Sequence, residues 1–312
     1  MKRNNQPNAK ALAHARGANP ETVHPATEPV CGFGRKRMPY SAVMECMAGT
    51  PVYSVRTSSL PLAQLMRPSP DLDRLLGFVE TVLDVEGPEP ERFGRFLEYP
   101  TRPRDPATGR AIGRPSMSDA MLLGAHLRIA VEGKWTEPHF GAYQTVEDWL
   151  RDGGADGVSR KPDVLEAWIA EVRAAGALRR GVTPESLASV PYQLVHRTAS
   201  ACHRAGRARG VLPVLCYVVF RDPAATAAEA AATKGFENAV LGRWTDWLDP
   251  SGIEVLDISV PVVRTPAPRS PAAAARLFRA IGAGANPYRF DWDGIRLRLK
   301  GSPGRCPGTA SW

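Results

Sequence analysis

The sequence predicts a mixed α/β or α+β protein, because helical and strand-like hydrophobic patterns alternate along the chain. Apolar residues recur at helical spacing over 71–85, 162–175 and 271–282. A continuous apolar run typical of a buried strand lies at 211–220, and 253–263 looks like another strand. The 312 residues are long for one compact core and short for three. We therefore expect one large domain with appendages, or two small domains.

In the first half of the chain, the predicted elements lead to a pair of strands. The helix at 71–85 carries leucine and valine on one face, and a second short helix is predicted at about 90–98. A loop rich in proline, glycine and arginine follows at 101–115. Two strand-like segments, 118–123 and 127–134, are then separated by a Gly-Ala-His turn. This spacing is typical of an antiparallel hairpin.

The second half alternates helices and strands and ends in a predicted hairpin. A Gly-rich loop at 151–160 precedes a helix at 162–175, which has proline in its first turn. Further helices are predicted at 190–206 and 229–248. In the last segment, apolar and polar residues alternate on both sides of an Asp-Gly pair, which is the strongest short hairpin signal. Residues 288–312 are therefore predicted to form a terminal β-hairpin and tail.

The excess positive charge lies at the two ends of the chain. The net charge is +8, and residues 1–37 carry seven basic and two acidic side chains without periodicity. We predict a disordered basic arm over 1–37 and a core domain over 38–287, which is neutral overall. An anionic partner such as nucleic acid is compatible with this distribution, but basic tails also serve only to solubilise a protein.

Composition argues against membrane insertion and disulfide frameworks. The longest apolar run has ten residues with a proline inside it, whereas a spanning helix needs about 20 apolar residues. The start of the chain has no apolar stretch typical of a secretory signal. The five cysteines are odd in number and include no C-x-x-C spacing. We therefore expect reduced thiols, a cytoplasmic location and no membrane partner.

The informative segment is the predicted hairpin, because its register brings two acids together. If the turn lies at Ala125-His126, cross-strand partners have residue numbers that sum to 251, so Asp119 faces Glu132. Directly opposed residues have Cβ atoms about 4.5–5.5 Å apart on one face of the sheet. Lys134 lies two residues beyond Glu132 and therefore projects from the same face.

Two opposed carboxylates repel one another unless a cation compensates them. Hard oxygen ligands suit Mg²⁺ or Mn²⁺, which bind through one or two carboxylates and keep several waters. A lysine beside the metal can orient an attacking water and offset charge on a phosphoryl group. The alternative is a salt-bridged strand face in which Lys134 pairs with Glu132 and Asp119.

The pattern D-x12-E-x-K on a hairpin after a helix resembles the PD-(D/E)xK nuclease superfamily. More narrowly, Val131-Glu-Gly-Lys-Trp-Thr-Glu-Pro138 with the later Tyr192-Gln-Leu-Val-His-Arg197 is similar to proteins from bacterial genomes classed as restriction endonucleases. The resemblance covers roughly 70–285. It implies a restriction-endonuclease-like fold, with a mixed central sheet flanked by helices. Ser118 stands where the family name places proline.

The resemblance also implies roles for individual residues. Asp119 and Glu132 would be metal ligands, Lys134 the catalytic lysine, and the backbone carbonyl of Gly133 a further ligand. Glu80, on the helix before the core, would complete the metal site.

The helix at 190–206 carries a polar stripe with Gln193, His196 and Arg197 at spacings of three and four residues. In nucleases of this fold, such a helix supports the site, so these residues are candidates for substrate binding. A solvated helix face is an equally valid interpretation of the stripe.

The sequence therefore predicts a Mg²⁺- or Mn²⁺-dependent endonuclease that acts on DNA, with RNA not excluded and a homodimer possible. One alternative is a nucleic-acid-binding protein with a catalytically degenerate nuclease fold. Another is an interaction protein with neither activity.

Overall fold

A computed structural model of the chain describes most of residues 31–300. The described ranges are 31–50, 58–83, 93–135, 144–152, 160–203, 211–222, 241–263 and 270–300, with single positions or short pieces between 225 and 235 and at 268. Seven helices within them are α1 (Tyr40–Ala48), α2 (Ser59–Leu65), α3 (Pro70–Leu83), α4 (Val146–Arg151), α5 (Lys161–Ala174), α6 (Tyr192–Cys202) and α7 (Pro271–Gly282). Short 3-10 helices lie at Glu185–Leu187 and Leu241–Asp246.

Nine strands form one mixed sheet. They are β1 (Cys31–Phe33), β2 (Lys36–Arg37), β3 (Gly94–Thr101), β4 (Ser116–Leu123), β5 (Leu127–Lys134), β6 (Leu212–Arg221), β7 (Glu254–Val263), β8 (Arg289–Phe290) and β9 (Arg296–Lys300). The order is β2-β1-β3-β4-β5-β6-β7-β8, and β9 also pairs with β7. β3, β4 and β5 are antiparallel neighbours, whereas β5, β6 and β7 run parallel.

The central strands are buried on both faces, which explains their continuous apolar runs. Alternate residues of β6 enter two separate cores: Val214 and Cys216 belong to one, Leu215 and Tyr217 to the other. The first core packs against α1, α2, α3 and α7, and the second against α4, α5 and α6. The molecule is therefore a three-layer arrangement with helices on both faces of a mixed sheet. The expected mixed α/β class is confirmed.

Several predicted elements are found within two residues of their expected bounds. The hairpin strands, the strands at 211–220 and 253–263, and the helices at 71–85, 162–175 and 271–282 all appear. The helix predicted at 190–206 ends at Cys202, and residues 204–206 lie outside the described part. Two helices over Tyr40–Ala48 and Ser59–Leu65 were not predicted.

The short helix predicted at 90–98 is wrong, because residues from Gly94 onward form β3. This segment pairs antiparallel with β4 over seven residue pairs. The hydrogen bonds and burial gained by this pairing outweigh the helix propensity of the local sequence. The basic arm predicted over 1–37 also needs correction at its end, since 31–33 and 36–37 form β1 and β2. Residues 1–30 lie outside the described part.

The terminal hairpin predicted around Asp293-Gly294 is not formed. β8 and β9 both pair antiparallel with β7, at Val262–Val263 and at Val255–Ser259 respectively. They follow one another along the same edge of the sheet, joined by a short turn in which Asp291 accepts the N–H of Gly294. β7 is ten residues long, so pairing with it satisfies more backbone groups than an isolated two-stranded ribbon would.

The predicted helix at 229–248 and the expected absence of a spanning helix can be compared with the described residues only. Of the helix predicted at 229–248, residues 231 and 235 are helical and Leu241–Asp246 form a 3-10 helix, whereas the other residues of 229–240 lie outside the described part. Among the described residues, no helix has both the length and the apolar character needed to span a bilayer.

Candidate functional site

The hairpin has the predicted register. Ala120 pairs with Val131 and Met121 with Ala130, so the partner numbers sum to 251 as expected. One step further along the ladder lie Asp119 and Glu132, and the carboxylate Oδ2 of Asp119 accepts the backbone N–H of Gly133 at 3.0 Å. Both side chains lie on the sheet face that α6 covers. The expected convergence of the two acids is therefore present.

Glu132 is the centre of the site, and it is only 1% exposed. Its Oε1 accepts from the Lys134 ammonium at 2.9 Å and from the Gln193 side-chain amide at 2.8 Å. Its Oε2 lies 2.6 Å from Nε of Arg197. A buried carboxylate is costly unless it is paired and hydrogen-bonded, and these three donors offset that cost.

Arg197 connects Glu132 to the beginning of β4. Its Nη1 donates to Oγ of Ser116 at 3.0 Å and to the backbone carbonyl of Met117. The guanidinium therefore spans from Glu132 on β5 to the start of β4, and it fixes α6 across both strands. At the other end of α6, Nε of Arg128 on β5 donates to the carbonyl of Ser200 at 3.3 Å.

His196 extends this network by one more hydrogen bond. Its Nδ1 lies 2.7 Å from Oγ of Ser116. Burial, together with the charges of Arg197 and Lys134, holds the pKa of His196 well below its usual value. A neutral imidazole can accept the Ser116 hydroxyl proton, which leaves the Ser116 oxygen to accept from Arg197. His196, Ser116 and Arg197 thus form a chain of contacts that ends at Glu132, defined here as the relay.

The two carboxyls have opposite pKa shifts. Burial acts to raise the pKa of Glu132, but the charges of Arg197 and Lys134 outweigh it, so this pKa lies below the usual value. Burial and the neighbouring charge of Glu132 raise the pKa of Asp119, and Arg197 and Lys134 compensate only in part. Asp119 is therefore the carboxyl whose ionised form is disfavoured, and a bound cation would favour that form.

Gly133, between the two catalytic candidates, is tightly enclosed. A Cβ at this position would lie 3.1 Å from Cβ of Ser58 and 3.2 Å from a methyl group of Leu62. The Ser58 hydroxyl donates to the Gly133 carbonyl at 2.9 Å instead of capping α2, which begins at the next residue. A side chain here would require Ser58 and Leu62 to shift by a few tenths of an ångström, so close packing against α2 favours glycine as the middle residue of the E-x-K pattern.

Glu98 brings a third acid to the same row of the sheet. Leu97 pairs with Ala120 and Tyr99 with Ser118, which puts Glu98 opposite Asp119. Its φ of 51° lies in the left-handed region, where a residue with a Cβ is strained by roughly 1–2 kcal/mol. Its charge contributes to the raised pKa of Asp119. Residues in such strained conformations cluster at functional sites.

Carboxylate and backbone carbonyl oxygens are the ligand types that a hard divalent cation prefers. Of these groups, the carboxylate of Asp119 receives hydrogen bonds from the described residues only at Oδ2, whereas the Gly133 carbonyl accepts from Ser58. Mg²⁺ needs only one or two carboxylates, because it keeps several waters. Within the described residues, no group of three or more His, Cys, Asp or Glu side chains could hold a metal. Glu80, on α3, is therefore not brought together with Asp119 and Glu132 into such a group.

Ser116 and Ser58 belong to the site although nothing in the sequence singled them out. A serine at a strand start and a serine before a short helix are common surface features, and only the tertiary arrangement brings them to Arg197 and Gly133. Because 90–98 was predicted as a helix, the sequence did not indicate that Glu98 lies beside Asp119. A strand assignment for this segment would have been needed to bring the two residues together.

Comparisons with known proteins identify one family. The family model described as a domain of unknown function, DUF6946, matches residues 55–241, which is more than half of the chain. No curated protein and no solved structure matches the chain. The matched region contains β3 to β6 and every residue that contacts Glu132.

Proposed function

This chain belongs to the DUF6946 family, and we propose that it is a metal-dependent nuclease that hydrolyses phosphodiester bonds in DNA. The observation that carries the proposal is the arrangement around Glu132. Asp119 and Glu132 lie on adjacent strands, and the Lys134 ammonium is 2.9 Å from Glu132. This is the D-x12-E-x-K pattern, which resembles the PD-(D/E)xK nucleases, with Asp119 and Glu132 on adjacent strands of the hairpin.

In the proposed site, Asp119, Glu132 and the Gly133 carbonyl hold Mg²⁺ or Mn²⁺. When bound, the cation supplies charge neutralisation at the phosphoryl oxygens and lowers the pKa of a coordinated water. Lys134 contributes an ammonium beside Glu132, where it can orient the attacking water and offset charge that develops on the phosphoryl group.

The residues on α6 act mainly on Glu132 in this account. Gln193 and Arg197 were expected to bind substrate, and both contact Glu132 directly. We infer that they hold the Glu132 carboxylate in its orientation, and that Arg197 is also near enough to the site to stabilise a phosphate. His196 acts through Ser116 and is a positioning residue.

A cleavage assay on the full-length chain tests this function. Supercoiled and linear DNA are incubated with the protein in Mg²⁺, in Mn²⁺ and in EDTA. Lys134→Met keeps the length of the buried side chain and removes the ammonium, so we expect cleavage to fall at least 100-fold, within the range of a lost acid-base or electrostatic group. Glu147→Gln removes an exposed charge on α4 and serves as the control.

The outcomes are separable because both variants are first checked for folding by circular dichroism and thermal melting. The proposal is supported if the wild type and Glu147→Gln cleave DNA, and if Lys134→Met is folded but has lost cleavage activity. Equal cleavage by wild type and Lys134→Met contradicts it, and so does cleavage that persists in EDTA.

One observation favours a second candidate, a nucleic-acid-binding protein that does not hydrolyse its ligand. Both oxygens of Glu132 already contact protein donors, and the Gly133 carbonyl accepts from Ser58. A site of this kind can be a purely structural ion-pair network. DNA binding without cleavage in either metal would favour this candidate.

A further inference from the structure

The loop between β3 and β4 forms a rigid, positively charged projection, defined here as the arginine loop (residues 102–115). It contains four arginines and one acidic residue. Arg102, Arg110 and Arg114 are exposed, and Arg104 is half-buried. The acid, Asp105, is used in the turn, where its Oδ1 accepts the N–H groups of Ala107 and Thr108, both at 2.9 Å.

Backbone hydrogen bonds make the arginine loop a short two-stranded projection. The N–H of Asp105 donates to the Arg110 carbonyl at 2.9 Å, and the N–H of Ile112 to the Pro103 carbonyl at 3.0 Å. Its stem is anchored, because Ile112 is 3% exposed within the core beneath α5 and α6. A Cβ at Gly113 would lie 2.8 Å from a methyl group of Val164, so the loop rests directly on α5.

The base of the arginine loop lies beside the site. The loop starts and ends at the Thr101–Ser116 pair, and Ser116 itself contacts Arg197. Asp119 is three residues along β4 from this pair, which is about 10 Å at the rise of a strand. Arg114 lies at the base of the loop and Arg110 toward its tip.

We propose that the arginine loop binds the phosphate backbone of DNA and holds the strand that enters the site at Asp119 and Glu132. This inference rests on the proposed function, because it assigns the loop to the same substrate. Guanidiniums on a rigid projection suit phosphate oxygens, which they contact with two parallel hydrogen bonds. Such contacts position nucleic acid without reading its sequence.

Binding is tested with the full-length chain and a fluorescein-labelled 20-base-pair duplex in EDTA, so that no hydrolysis occurs. Anisotropy gives Kd at 50, 100 and 200 mM KCl for the wild type and for Arg102→Gln/Arg110→Gln/Arg114→Gln. The matched control removes three exposed arginines elsewhere, Arg74→Gln/Arg276→Gln/Arg289→Gln, with the same change in net charge.

We expect the arginine-loop variant to raise Kd at least tenfold at 50 mM KCl. Each lost phosphate contact lowers the slope of log Kd against log salt by about 0.9, so three contacts lower it by about 2–3. The control variant should change Kd less than threefold. Equal effects of the two triple variants would overturn the inference, and so would a wild type that does not bind DNA. Displacement by poly-glutamate at concentrations comparable to those of competing DNA would instead indicate an acidic protein partner and overturn it.

The same proteins separate this inference from the proposed function. If the wild type binds through the arginine loop but does not cleave in Mg²⁺ or in Mn²⁺, the nuclease proposal fails and the inference stands. If the wild type cleaves and the arginine-loop variant binds and cleaves like the control, the inference fails and the nuclease proposal stands. If both hold, cleavage by the arginine-loop variant should show a raised KM with kcat within threefold of wild type.

Discussion

At the scale of single residues, the buried carboxylate of Glu132 is the group that its charged and polar neighbours contact. It takes one hydrogen bond each from Lys134 and Gln193 and an ion pair from Arg197. Removing one partner of a buried pair leaves an uncompensated charge, which costs about 3–5 kcal/mol. A substitution of a charged partner here therefore affects both stability and chemistry, even when it keeps the size of the side chain, so the folding of each variant has to be measured separately.

Ser116 provides a test of the relay that orients Arg197. Ser116→Ala removes the oxygen between Arg197 and His196, and leaves both groups short of a partner in a buried place. We expect a loss of about 1–3 kcal/mol in the free energy of unfolding, measured by urea denaturation. Ser41→Ala, at an exposed position of α1, should change stability by less than about 0.5 kcal/mol. Equal stability of the two variants would show that the relay contributes nothing.

The residues that carry the pattern were predictable, whereas their supporting partners were not. Asp119, Glu132 and Lys134 follow from hairpin register, because period-two alternation and one turn position determine which side chains share a face. Gln193 and Arg197 were found as a stripe on a helix. Ser116 and Ser58 reach the site only because α6 and α2 pack on the sheet, and such tertiary contacts cannot be predicted from local sequence.

At the scale of elements, β3 has one residue whose backbone departs from the extended conformation of the rest of the strand. Glu98 has a left-handed φ at the row that contains Asp119, although it is not glycine. The ladder is interrupted at Glu98 itself and continues on both sides, since Leu97 and Tyr99 keep their partners on β4. The conformation therefore belongs to a single position and can be tested there.

Two substitutions at Glu98 separate the backbone from the carboxylate. Glu98→Gly and Glu98→Ala both remove the acid, but only glycine adopts this φ without steric cost. We expect Glu98→Gly to be more stable than Glu98→Ala by about 1 kcal/mol, measured from chemical denaturation. An alanine variant as stable as the glycine variant would show that the backbone here is not strained.

Helices and strands with strong hydrophobic periodicity were predicted correctly, whereas two segments that pair with strands distant in the sequence were not. The apolar run of β6, the strand-like pattern of β7 and the amphipathic pattern of α7 were recognisable from the sequence. The segment of β3 and the end of the chain were assigned to a helix and a hairpin from local signals. In both cases, the strand partner is distant in sequence, and its available hydrogen bonds outweigh the local preference.

At the scale of the whole molecule, the site links stability to pH. Burial and the charge of Glu132 raise the pKa of Asp119 to about 8, whereas an aspartate in an unfolded chain titrates near 4. The folded chain therefore keeps a proton that the unfolded chain loses, so the contribution of Asp119 is fully present below about pH 4. It is lost as the pH rises toward about 8.

Asp119→Asn tests this linkage, because asparagine keeps the shape and does not titrate. We expect the stability of the variant relative to wild type to increase from pH 5 to pH 8, measured by urea denaturation in EDTA. The lowered pKa of Glu132 acts in the opposite direction in both proteins, so most of its effect cancels in the difference. A difference that does not vary with pH would contradict a raised pKa at Asp119.

The most direct test of the central claim is whether the two carboxylates hold a cation. Mn²⁺ binding is measured by electron paramagnetic resonance on the wild type, Asp119→Asn and the control Glu147→Gln, with fold checked by circular dichroism. We predict one saturable Mn²⁺ for the wild type and the control, and at least tenfold weaker binding for Asp119→Asn. Equal binding by all three proteins, or no binding by the wild type at millimolar Mn²⁺, would contradict the account.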